Sequence, residues 1–121
     1  MGAKVLVVED DVAIRETLLE VLEDEGFQAV GAANGREALE RLQEPGELPR
    51  LIVLDLMMPV MDGAGFREEQ LRLPRAATIP VVVLTAYRDL ARAANELRAQ
   101  HVLKKPLRLA QLLDIARSYA T

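Results

Sequence analysis

Leu51-Ile-Val-Leu54 is an unbroken apolar run that ends directly on Asp55. A run this short, rich in branched side chains, reads as a strand buried on both faces. Val5-Leu-Val-Val8 upstream and Val81-Val-Val-Leu84 downstream read the same way, and each also ends on polar residues: Glu9-Asp10-Asp11 and Thr85. Between the runs, apolar residues recur at helical spacing. Ile14, Leu18, Val21 and Leu22 form one stripe, closed by Gly26, which is placed for a left-handed turn. Asn34 followed by Glu37 resembles a capping box and opens a helix through Leu39 and Leu42. Further helices are expected from about Ala64 to Leu73, through Leu90, Ala93, Ala94 and Leu97, and through Leu109, Leu112, Leu113 and Ala116. Gln28 to Ala33 is a weaker strand of small residues, and His101 to Lys104 a short one. This five-fold βα alternation predicts an α/β fold: a parallel sheet joined by right-handed crossover helices.

Composition narrows the function. The chain has 121 residues, the size of one domain at ~100–150 residues, so a separate cofactor domain and substrate domain are excluded. Hydrophobic residues make up 50% but aromatics only 3%, so the core must be aliphatic. A net charge of −4 makes the chain a poor nonspecific partner for nucleic acid or an anionic membrane. Cysteine is absent, which excludes disulfides, thiolate catalysis and Cys-based zinc sites. A single histidine, His101, excludes a multi-histidine metal cluster and reads as a strand residue rather than a proton shuttle. No apolar run approaches the ~20 residues of a membrane span, and the first is too short for a signal peptide, so a soluble cytoplasmic protein is expected.

In open α/β sheets, ligands bind beyond the carboxyl ends of the strands, at the point where strand order reverses. The residues there are Glu9, Asp10 and Asp11, then Asp55, Thr85 and Lys105-Pro106. Carboxylates brought within a few ångströms repel, so a cation is needed or some must hold protons. Hard oxygen ligands suit magnesium. Helix capping is the competing reading for Asp10 or Asp11. An acid at the end of a dry strand, a lysine, a hydroxyl and a cation site together suit a phosphoryl group, and the carboxylate can itself be the nucleophile. Lys105 before Pro106 reads either as an extended loop residue or, across a cis bond, as a residue turned into the site. Two other chemistries fit poorly. A phosphohydrolase would need a second acid two residues after Asp55, where Met57 stands. A nucleotide site would need glycines after the first strand, where the residues are acidic.

Four segments, in order, resemble the receiver domains of two-component response regulators, the CheY-like family: Val7-Val-Glu-Asp-Asp11, Ile52-Val-Leu-Asp-Leu-Met-Met-Pro59 with Asp62-Gly63, Val83-Leu-Thr-Ala86, and Lys104-Lys-Pro-Leu107. The resemblance covers essentially the whole chain. It implies a flavodoxin-like (βα)5 three-layer sandwich with a five-stranded sheet of order 2-1-3-4-5, one receiver domain over residues 1–121, and no output domain in this chain. It implies Asp55 as phosphoacceptor, and Mg2+ or Mn2+ held by Asp10, Asp55 and the Met57 carbonyl, with Glu9 acting through water. It further implies Thr85 as the switch hydroxyl, Lys105 as the phosphate-binding lysine with a cis bond to Pro106, and Ala86 as a small residue leaving the site accessible. The implied partners are a sensor histidine kinase or phosphotransfer protein, and an output protein or missing output domain. Direct nucleic-acid or membrane binding is not expected.

Tyr87, two residues after Thr85, reads as a solvent-facing ring or as a shield that slows loss of the phosphoryl group; Met57 could act likewise. Two features depart from the family. The position three residues before Lys105, usually aromatic, is Val102, and the frequent Gly-Ala before the fifth strand is replaced by Arg98-Ala-Gln100 in a slightly short segment. The short segment implies a shortened fourth helix and following loop, and Val102 motivates an alternative: a receiver-like interaction module that works without phosphorylation.

Overall fold

The computed structural model describes residues 2–56, 60–86 and 90–119, with the side chains of residues 90–93 left aside. Strands β1 (Lys4–Val8), β2 (Gln28–Ala32), β3 (Leu51–Asp55), β4 (Val81–Thr85) and β5 (His101–Lys104) alternate with helices α1 (Val12–Asp24), α2 (Gly35–Gln43), α3 (Gly63–Leu71), α4 (Leu90–Leu97) and α5 (Leu109–Ser118). The strands form one parallel sheet in the order β2-β1-β3-β4-β5.

The period of two in a strand sorts each apolar run onto two faces. Leu6, Val8, Ile52, Leu54, Val81 and Val83 meet Ala38 and Leu42 of α2, Phe66 of α3 and Leu97 of α4. Val5, Val7, Leu51, Val53, Val82 and Leu84 meet Leu18 and Leu22 of α1, with Leu112 and Ala116 of α5. The result is a three-layer sandwich whose central strands are dry on both sides. Among the described residues, no helix is long and apolar enough to cross a membrane.

Three local features differ from the sequence reading. Ile14 was expected in the core stripe of α1 but is 43% exposed. The first turn of α1 overhangs the end of β1, and Arg15 faces inward there. Its guanidinium donates to the Glu9 carbonyl at 2.8 Å and its stem lies against Gly31. Helix α3 starts one residue earlier than expected, on Gly63, and stops at Leu71 rather than reaching Leu73. Pro74 follows Leu73 and disfavours a helical backbone at the residue before it. Leu109, expected on the core stripe of α5, is 37% exposed at the helix's first residue.

The caps follow the sequence. Asp11 accepts from the Ile14 amide at 3.0 Å and Asn34 from the Glu37 amide at 2.9 Å. Gly26 carries the left-handed backbone after α1, with φ 96°.

Candidate functional site

Register brings the chemistry together. Val8 pairs with both Ala32 and Leu54, Asp55 with Leu84, and Thr85 with Lys104. The carboxyl ends of β1, β3, β4 and β5 therefore share one edge. Asp55 and Thr85 are the last residues of their strands, and Glu9 continues from β1 by donating its amide to the Ala32 carbonyl at 3.0 Å. Lys105 is pinned beside β4 because its amide donates to the Thr85 carbonyl at 2.8 Å. The Lys105-Pro106 peptide bond is cis.

At this edge Glu9, Asp55 and Thr85 are buried, while Asp10 is exposed and Lys105 half-exposed. The Lys105 ammonium donates to Asp55 Oδ1 at 3.0 Å and stands 3.8 Å from Glu9 Oε1. Glu9 Oε2 accepts from the Asp11 amide at 3.2 Å, whereas Glu9 Oε1 is buried with no hydrogen-bond partner. Carboxylate oxygens of Glu9, Asp10 and Asp55 lie within 4.8 Å of one another.

The electrostatics follow from this crowding. Burial, reinforced by the side chains of Asp55 and Asp10, pushes the Glu9 carboxyl up to about 8; the Asp11 amide works against that rise. For Lys105, burial disfavours the charge, but the hydrogen bond to Asp55 and the charges of Asp55, Glu9 and Asp10 outweigh it and push the pKa up. Three acids face one lysine here. An all-oxygen donor set with a buried, unsatisfied carboxylate oxygen fits a hard divalent cation such as magnesium.

Glycine fixes the outer wall. The Gly63 amide donates to the Leu56 carbonyl at 2.9 Å, and a Cβ at this position would lie 2.8 Å from the Asp55 carbonyl oxygen and the Leu56 Cα. Only glycine lets α3 start this close to the residue that follows Asp55.

Other residues singled out in the sequence are placed as follows. Ala86 is exposed just beyond Thr85. Val102 is half-buried and packs with Leu97 and Ala99 beside the core face that carries Phe66. His101 and Tyr119 share a hydrogen bond at 2.9 Å, away from the acidic edge. Met57 and Tyr87 lie outside the described residues.

The family model for the response regulator receiver domain matches residues 5–117. The chain belongs to the response regulator receiver domains. This receiver is 34% identical to sporulation initiation phosphotransferase F of Bacillus subtilis, covering 98% of this chain and 94% of that protein. It is 40% identical to the probable transcriptional regulator ycf27 of Cyanophora paradoxa over 95% of this chain, but spans only 47% of that protein. The receiver thus spans about half the length of such curated regulators and nearly the whole of others. Among solved structures, the Vibrio cholerae chemotaxis protein CheY4 superposes with a TM-score of 0.87 at 30% identity, covering 98% of this chain and 99% of that one.

Sequence reading missed two groups, one beside this edge and one farther along α3. Arg15 carries no motif and resembles any helix-surface arginine. Arg67 and Gln70 of α3 are buried, although the segment Arg67-Glu-Glu-Gln70 reads as a solvated face. Phe66, preceded by Gly63-Ala-Gly65, is the clearest signal that this helix turns a side inward.

Proposed function

We propose that this receiver accepts a phosphoryl group on Asp55 from a sensor histidine kinase or phosphotransfer protein, in a magnesium-dependent reaction, and switches its α4–β5–α5 surface in response. The observation that carries the reading is the Lys105 ammonium 3.0 Å from Asp55 Oδ1, with Glu9 and Asp10 contributing acids to the same point.

An Asp55 oxygen would attack phosphorus in line with the donor's nitrogen. The new O–P bond forms as the N–P bond breaks, and the electron pair stays on the donor imidazole. Lys105 would follow the developing charge from Asp55 onto the phosphoryl oxygens, and the Thr85 hydroxyl would donate to another of them. Asp10, Asp55 and the Met57 carbonyl would hold Mg2+ or Mn2+, with Glu9 acting through bound water; when bound, the ion would neutralise the carboxylates and orient the phosphoryl oxygens. Burial of the Asp55 side chain limits water on one side, while exposed Ala86 leaves the other side open to the donor and later to hydrolysis. The domain would catalyse only its own phosphorylation and dephosphorylation, in the cytoplasm, and its output would lie on another protein or on further chain.

Val102 favours the alternative of a phosphorylation-independent module, because a small β-branched side chain at that half-buried place offers little to move. One experiment separates the two. Incubation with magnesium and a small phosphodonor, read by mass, should add one phosphoryl group to the wild type and none to Asp55→Asn. An unlabelled wild type, under conditions that label another receiver, would sink the phosphoacceptor reading.

A further inference from the structure

Helix α4 ends in an arrangement its own sequence disfavours. The Ala99 amide donates to the Ala94 carbonyl at 3.1 Å and the Arg98 amide to the Asn95 carbonyl at 3.4 Å. This is the paired-bond helix stop whose turning residue adopts a left-handed backbone and is usually glycine. Here that residue is Arg98, with φ 52°. A residue with a Cβ is strained in that region, so contacts from outside the helix bear on whether this stop holds.

Arg67 of α3 occupies the holding position. Its Nε donates to the Leu97 carbonyl at 3.0 Å and its Nη2 to the Arg98 carbonyl at 2.8 Å, which takes up two carbonyls at the end of α4. Its remaining arm, Nη1, donates to Gln70 Oε1 at 2.8 Å. The Gln70 amide nitrogen in turn donates to the Ala76 and Ile79 carbonyls, at 2.9 and 3.2 Å, in the segment leading to β4. Both side chains are buried, Arg67 at 3% and Gln70 at 0% exposure. Each nitrogen of the guanidinium thus has an acceptor, which is how a buried arginine is tolerated without an acid. The same helix begins at Gly63, bonded to the Leu56 carbonyl immediately after Asp55.

We propose that Arg67 clamps the C-terminal end of α4 to α3, so that the strained α4 stop holds or lets go with the position of α3 and hence of the Asp55–Leu56 segment. The proposal rests on Asp55 being the phosphoacceptor, and supplies a route to the α4 surface that does not need an aromatic ring at position 102. A polar clamp with fixed donors has discrete bound and released states, which a continuous apolar contact between two helices lacks.

Native-state amide exchange by NMR tests it in two stages. In the unmodified protein, Arg67→Met should speed exchange at Ala99 by about tenfold or more beyond any change at Val53 in the central strand. Adding Arg98→Gly, which removes the backbone strain, should recover several-fold of that loss even if Arg67→Met also lowers global stability. Equal acceleration at Ala99 and Val53, with no recovery from Arg98→Gly, would mean that Arg67 is only a core filler and would overturn the clamp.

In the second stage the wild type is given magnesium and beryllofluoride as an aspartyl-phosphate mimic. Exchange should change at Leu56 and Gly63 and also at Ala99, and the Ala99 response should vanish in the double variant while those at Leu56 and Gly63 persist. A wild-type response at Leu56 and Gly63 with Ala99 unmoved overturns the coupling alone. No response at Leu56 or Gly63 overturns the phosphoacceptor reading and the coupling with it.

Discussion

Lys105, at the end of the sheet's edge strand, holds its ammonium 3.0 Å from Asp55 Oδ1 and 3.8 Å from Glu9 Oε1. One cation therefore serves two buried acids that arrive from different strands. The arrangement is a charge balance and, on the proposed function, a phosphoryl-binding site, and the two roles should respond differently to mutation.

Lys105→Met separates them. The phosphoryl oxygens lose a charged donor, so labelling of Asp55 by a small phosphodonor should slow by at least about tenfold. Magnesium, by contrast, should bind more tightly, because the ammonium no longer competes for the same carboxylates. Labelling kinetics and a magnesium titration on one protein sample check both. Weakened magnesium binding alongside slow labelling would indicate a distorted site instead.

Glu9 makes the metal-free protein sensitive to pH. Its carboxyl is raised by burial and by its acidic neighbours to about 8, against an ordinary value of 4.5. A raised folded-state pKa means that the folded protein holds the proton more tightly than the unfolded chain. The stabilisation is fully present below the ordinary value and is lost as pH rises through the folded one. Without metal, the melting temperature should therefore fall by several degrees between pH 6 and pH 9. On the proposed function magnesium would replace the proton, so the stabilisation it gives should be larger at pH 9 than at pH 6, and Glu9→Gln should flatten the metal-free slope. A melting temperature that rises with pH in the absence of metal would show that Glu9 is ionised throughout.

Legibility in the sequence followed the same physics. Glu9, Asp55 and Thr85 could be found because each ends or follows a dry apolar run, and Lys105 because it follows the short fifth strand; a parallel sheet aligns those ends. The central strands could be found because burial on both faces demands uninterrupted Val, Leu and Ile. Ile14 misled because amphipathic spacing does not reveal where a helix overhangs the sheet. Arg67 and Gln70 stayed hidden because their burial depends on four carbonyls, those of Leu97, Arg98, Ala76 and Ile79, that converge only in the folded chain. A polar side chain satisfied by distant backbone leaves no local periodic signal.

Val60 shows strain that the site's loop tolerates. It is β-branched, 72% exposed and left-handed, with φ 68°. Side chains branched at Cβ are the least suited to that region, whereas asparagine visits it readily. Val60→Asn removes little buried surface and should stabilise the domain by about 1 kcal/mol. Thermal or urea unfolding would read the gain, and a loss of stability would mean that Val60 makes contacts its exposure does not suggest.

Gly63 ties the fold most directly to Asp55. A methyl group there would meet the Asp55 carbonyl oxygen and the Leu56 Cα at 2.8 Å, closer than real contacts allow. Both atoms are backbone, so no flexible side chain can move aside. Either α3 shifts outward and loses the 2.9 Å bond from the Gly63 amide to the Leu56 carbonyl, or the end of β3 tilts and carries Asp55 with it. Gly63→Ala should cost about 1–3 kcal/mol as an overpacked contact. It should also slow Asp55 labelling disproportionately, because in-line transfer is sensitive to displacements of an ångström or less. The exchange Gly63→Ala with Ala64→Gly, controlled by Ala64→Gly alone, keeps the composition and moves the methyl group from the exposed position 64 to position 63. If that variant labels at the wild-type rate while losing stability, the strain has been absorbed entirely by α3, and the position of Asp55 does not depend on this glycine.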